Sequence, residues 1–236
     1  MQPSLFHQAL RELPVLCQGR TERLGEWLAN PTGARLAACA VAIAAGGAAY
    51  GFTLGLWRAP LMGGYVALKL PLLLGLTLLT NGLMNGMLAQ VLGSGLSFRQ
   101  TVMAMLMSFT TFALITGALS PVALALVWNA AGPGEPGGSV AYRVILLTQT
   151  AVIAFAGITA HRRFWPVLRA ASASPRAGTL VFLTWLAGNL FVGAQLSWNL
   201  RPFFGQPARP VELFRADWNR SSFYESIYKN LTSFLP

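Results

Sequence analysis

Leu70-Pro-Leu-Leu-Leu-Gly-Leu-Thr-Leu-Leu-Thr-Asn-Gly-Leu-Met-Asn-Gly-Met-Leu-Ala-Gln-Val-Leu92 runs for 23 residues without an ionisable side chain. At 1.5 Å per residue a helix of that length reaches about 34 Å, enough for the roughly 30 Å hydrocarbon core of a bilayer. Four other stretches share this character: Leu36–Trp57, about 101–131, Val144–His161 and Ala177–Asn199. The whole chain is 54% hydrophobic and 10% charged, against about 25% charged residues in a soluble domain. Apolar runs with charges gathered between them are how a chain adapts to a bilayer. The expected fold is therefore an all-α integral membrane bundle of five transmembrane helices over 35–199. An amphipathic tail (1–34) precedes it and an aromatic tail (200–236) follows it.

The third stretch is too long for one straight crossing. Pro121, after Ser120, predicts a kink or a short second segment, which leaves a six-segment count open. Lys69 sits at a span edge, where its stem can snorkel, and Pro71 then suits a helix start.

The net charge of +10 comes from arginines interspersed between apolar spans, without a basic stripe or tail. They read as topology and lipid-surface charges, with no nucleic-acid partner. With five spans, one side holds Arg11, Arg20, Arg23, Arg35, Arg99, Arg162, Arg163, Arg169 and Arg176. The other holds Arg58, Lys69, Arg143, Arg201, Arg209, Arg215, Arg220 and Lys229. The interhelical loops alone divide five against three. That places the N-terminus of a multi-pass membrane protein in the cytoplasm.

The first 34 residues carry Glu12, Glu22 and Glu26 and do not read as a cleaved signal peptide. Leu5, Phe6, Ala9, Leu10 and Leu13 share one helical face, and Leu24, Trp27 and Leu28 repeat the pattern. Such helices either lie on headgroups or dock on a partner.

Within the spans the notable residues are small or amidic. Gly47, Gly51 and Gly55 form a double GxxxG ladder, and Gly82 and Gly86 repeat its spacing. Glycines four apart let a second helix backbone approach closely. Asn81 and Asn85 share a face with each other and turn inward with Thr77 and Thr80, because an unpaired amide in hydrocarbon is costly. They predict interhelical hydrogen bonds, a polar path for a solute or lipid headgroup, or bonds to a partner's helix. Gln195 is a further intramembrane polar residue. No Asp or Glu falls within the five spans, which argues against ion-coupled transport.

The C-terminal tail is unusually aromatic. Trp198 marks an interface, Arg201-Pro202-Phe203-Phe204-Gly205 breaks the helix, and Pro207 and Pro210 keep the chain extended. Ser222 and Glu225 have capping-box spacing ahead of Phe223, Ile227, Leu231 and Phe234, which share a helical face. Such a tail folds back on the bundle or membrane, or offers Trp198, Arg201, Phe203, Phe214, Arg215, Phe223 and Tyr224 to a partner.

Catalytic constellations are missing from the sequence: it has no HExxH, GxSxG or Walker loop. His161, beside Arg162, Arg163 and Trp165, reads as an interfacial cluster. Cys17 and Cys39 are too separated for a disulfide, and two cysteines with two histidines make a metal cluster improbable. The expectation is no catalytic residue, no metal and no cofactor.

Lys69-x-Pro71-Leu-Leu, Leu96-Ser-Phe-Arg99 and Leu119-Ser-Pro-Val122 resemble a group of bacterial multi-pass membrane proteins that are loosely Yip1-like. The fullest match is Phe191-Val-Gly-Ala-Gln195-x-x-Trp198-x-Leu-Arg-Pro-Phe203-x-Gly205, followed by Glu212-Leu-Phe-Arg215 and Phe223-Tyr224-Glu225. The resemblance covers about 60–230 and implies a five-span helical fold with a non-enzymatic role. Two functions follow as expectations. The first is a non-catalytic membrane scaffold or accessory subunit of a protein complex, its partners being the lipid bilayer and other membrane subunits or itself. The second is a small channel, transporter or lipid-handling protein using the polar face of the second span.

Overall fold

The computed structural model describes residues 4–206, 209–216 and 220–225. These residues are 79% helical and contain no strand. The helices are α1 (Leu5–Glu12), α2 (Pro14–Gln18), α3 (Thr21–Ala29), α4 (Gly33–Leu56), α5 (Pro60–Val91), α6 (Phe98–Trp128), α7 (Gly138–Ala171) and α8 (Pro175–Asn199). Among them, α4 to α8 are long and apolar enough to cross a bilayer.

Local sequence sets where these helices begin. The Thr32 hydroxyl caps α4 by accepting from Arg35 N, and Ser97 and Gln100 form a capping box at α6. Ser174 caps α8 just ahead of Pro175, a residue suited to the first turn. The second long helix starts at Pro60, ten residues before the expected start at Leu70, so Pro71 lies inside it. The third long helix runs unbroken from Phe98 to Trp128 through Pro121, so no separate sixth segment forms there. Ser120 Oγ donates back to Thr116 O at 3.2 Å in the turn before that proline.

α4 is the centre of the bundle, packed between α5 and α6. Its glycines explain how closely α5 approaches. A Cβ on Gly51 would lie 2.5 Å from Val66 O, and one on Gly55 would lie 2.5 Å from Met62 O. Gly47 faces the Pro71 ring. On the other side of α4, Gly46 meets the Ala113 carbonyl and the Gly117 backbone of α6. The ladder is thus used within the chain, and Gly46 with Gly117 extends it to a second interface.

The amphipathic N-terminal helices dock on the bundle. Leu13, Leu16, Leu24, Trp27 and Leu28 are buried in the same core as Ala38, Met103 and Leu168. Arg35 fastens them, with Nη1 donating to Glu26 O and Asn30 O and Nη2 lying 3.7 Å from Glu12 Oε2. Arg99 Nη2 donates to Pro31 O at 3.1 Å. At the same end Ala173 N donates to Ser94 O at 2.7 Å, joining the α7–α8 and α5–α6 loops.

The C-terminal segment returns across the opposite end. Arg58 Nη2 donates to Arg209 O, and Trp198 Nε1 donates to Ser221 O at 2.9 Å. The expected last helix starts at Phe223 with its capping box formed, Glu225 N donating to Ser222 Oγ and Ser222 N to Glu225 Oε2, whereas Ile227, Leu231 and Phe234 lie outside the described residues, as does Pro207.

Candidate functional site

The polar face of α5 is the natural place to begin. Asn81 and Asn85 are fully buried and Thr77 nearly so, whereas Thr80 is exposed. Asn85 Nδ2 reaches only Met105 Sδ, at 3.9 Å, and its Oδ1 has no partner among the described residues. Neither polar atom of the Asn81 side chain has one. Of the interhelical hydrogen bonds that one reading of the sequence predicts, the described residues show one, from Asn85 Nδ2 to Met105 Sδ of α6, and none at Asn81. The amides are covered by small and soft groups. A Cβ on Gly188 of α8 would lie 2.9 Å from Asn81 Oδ1, and Gly193 faces Thr77. Gly82 has open space where a Cβ would stand, and Gly86 is covered by the Phe98 ring.

Beside this face lies a groove of about 800 Å³ bounded by α5, α6, α7 and α8. Its origin can be traced helix by helix. α7 and α8 leave their hairpin in close contact, since a Cβ on Gly178 would lie 2.8 Å from Arg169 Cα. Farther along, α7 is tied to α4: Tyr50 OH donates to Gln149 O at 3.2 Å, and Trp57 and Tyr142 rings lie 5.4 Å apart. α8 instead stays on α5 through Gly188 and Gly193. The two helices diverge, and the groove occupies the gap. Its border on α8 runs from Phe182 to Ser197, about 22 Å at 1.5 Å per residue. Leu73, Phe109, Phe112, Ile153 and Leu186 make its walls apolar. Ile158, Trp165 and Leu190 on its border are exposed, so it opens on the side of the bundle.

One end of the groove is different. His161, Arg162 and Trp165 of α7 gather there with Phe182 of α8. Trp165 stacks on Phe182 at 6.1 Å, and the Arg169 guanidinium lies 5.6 Å from the Trp165 ring. His161 Nδ1 bonds Gly157 O at 2.8 Å, so Nδ1 carries the proton of a neutral ring and Nε2 is its acceptor. Of the α5 polar face only Thr77 borders the groove.

The residues expected to contact a partner are engaged with their own chain. Lys69 does not snorkel: it is 1% exposed, and its Nζ donates to Pro202 O at 2.9 Å. Phe203 and Phe214 lie over it at 5.9 and 5.4 Å. Arg215 pairs with Glu212 at 3.8 Å, and Arg201 lies 4.0 Å over the Trp198 ring. Gln195 Oε1 accepts from Phe223 N while its Nε2 donates to Asn199 Oδ1. Tyr224 donates to Phe191 O at 2.6 Å and stacks on the Phe191 ring at 4.6 Å.

Cys17 and Cys39 are free thiols. Among the described residues no group of three His, Cys, Asp or Glu side chains is placed to hold a metal ion. The groove was not legible in the sequence. Trp185 and Asn189 share a helical face by their spacing, yet that spacing does not show what lies opposite them. No protein-family model, no curated protein and no solved structure matches this chain.

Proposed function

We propose that this chain is a non-catalytic integral membrane protein that holds a lipid-class amphiphile in the groove between α5, α6, α7 and α8. The single observation that carries the reading is the shape and chemistry of the groove. It is apolar for most of its length and has a cationic and aromatic end at His161, Arg162 and Trp165. A molecule with a long apolar chain and one polar end complements both parts. With α4 to α8 as spans the side opening faces the acyl region, so such a molecule enters without crossing water. Localisation in a bacterial inner membrane with the N-terminus in the cytoplasm belongs to the same proposal, supported by the arginine distribution of the loops.

Gly157 provides the test. It borders the groove, and a Cβ there would meet nothing within 4 Å. Gly157→Leu should therefore fill the groove with little cost to the fold. The expected result is loss of co-purifying lipid in native mass spectrometry with an unchanged melting temperature. Retention of the same lipid at the same occupancy sinks the reading.

A second reading, a scaffold or accessory subunit, is favoured by the aromatic surface that the C-terminal segment builds on α8. Phe191 is exposed there and stacked on Tyr224, and exposed aromatic clusters are good interface anchors. Mass measurement in mild detergent tests it: a strictly monomeric protein with no associated protein counts against this reading.

A further inference from the structure

A recess of about 10 Å³ adjoins the cationic end of the groove, with Ser108, His161, Phe182 and Asn189 bordering both. That is room for about one water-sized group. Trp185 also lines it and is 5% exposed. Trp185 Nε1 and Asn189 Oδ1 are buried, and neither has a hydrogen-bonding partner among the described residues. An indole N–H only donates and an amide oxygen only accepts.

A buried donor and a buried acceptor bordering one recess select for a group that can do both. An ether or ester oxygen accepts from Trp185 and leaves Asn189 unpaired. An ammonium group donates to Asn189 and leaves Trp185 unpaired. A hydroxyl accepts from Trp185 Nε1 and donates to Asn189 Oδ1, and unpaired buried polar atoms are costly enough for that difference to decide.

We infer that the recess at Trp185, Asn189 and His161 is the head site of the groove and selects long-chain amphiphiles bearing a free hydroxyl. This rests on the groove being a lipid site, and the experiment separates the two. Radiolabelled oleyl alcohol and oleyl methyl ether share one chain and differ in the donor proton. Their binding to the purified full chain in detergent is measured by scintillation proximity, with Trp185→Phe, Asn189→Leu and Gly157→Leu beside the native sequence. The expected result is binding of both probes, with the alcohol favoured by about fivefold, the value of one net hydrogen bond. Asn189→Leu should erase that preference while keeping the affinity for the ether. Trp185→Phe should weaken both probes alike by about fivefold while keeping the preference, since either oxygen accepts from Trp185 Nε1. The retained ether binding also shows that both variants fold. Gly157→Leu should abolish binding of both probes. Equal affinity for the two probes in the native chain, a preference that survives Asn189→Leu, or affinities untouched by Trp185→Phe overturns the hydroxyl site and leaves the groove standing. Absence of binding by either probe, or binding untouched by Gly157→Leu, overturns the groove itself.

Discussion

Individual residues show where this chain tolerates unpaired polarity. Asn81 is buried against Gly188 with both polar atoms unpartnered. Replacing an unsatisfied buried amide by an apolar group of similar size removes a desolvation cost. Asn81→Leu should therefore stabilise the bundle, by about 1–3 kcal/mol, read as a raised midpoint in thermal unfolding. A lowered midpoint would mean that the amide is paired in solution. Cys17 gives a pH-dependent test at the docked N-terminal helices. Burial pushes its thiol above the ordinary value, and the Arg163 charge opposes that shift only in part. The thiolate is the reactive form, so alkylation should be slow at neutral pH and accelerate through a midpoint above the usual thiol range. Cys39, buried in α4, should react only after unfolding. A Cys17 rate profile matching a free thiol would contradict the docking of α2 on the bundle.

At the scale of elements, the glycines fall into two physical classes that look the same in sequence. Gly55 faces the Met62 backbone, whereas Gly82 faces open space. Gly55→Ala should force α4 and α5 apart and cost about 1–3 kcal/mol. Gly82→Ala should be neutral or add up to about 1 kcal/mol, since alanine is the better helix former. Thermal unfolding of the two variants side by side checks this, and equal effects would refute the assigned interface. The five long helices were readable beforehand because apolar run length is a local property. Pro121 left the segment count open for a related reason. A proline removes one backbone donor and disfavours the preceding turn, yet α6 packs against α4, α5 and α7 and continues through it.

For the whole molecule, the C-terminal segment acts as a clasp over one end. Lys69, in α5, is the point it closes on, through Pro202 O and the Phe203 and Phe214 rings. Hydrogen bonds from charged donors contribute about 1.5–3 kcal/mol. Lys69→Met keeps the stem and removes the donor, so trypsin should cut after Arg209 or Arg215 at least about tenfold faster. Unchanged cleavage would show that the clasp is held elsewhere.

Sequence alone determined the apolar runs of crossing length, their order and the absence of acidic residues along them, and it favoured five spans with Asn81 and Asn85 turned inward. Each is a property of a residue or of a run of about 20 residues, set by hydrophobicity and the 3.6-residue period. The tertiary structure decided which faces meet. It placed the GxxxG ladder against α5, turned the N-terminal apolar faces onto the bundle and left Asn189 at the border of a groove. The groove lies where α7, held toward α4 by Tyr50 OH on Gln149 O, parts from α8, which remains on α5, while Trp57 Nε1 on Ala131 O fixes the loop ahead of α7. Those contacts join residues 99 and 74 positions apart, and a cavity formed by helices diverging leaves no periodic trace in any one of them.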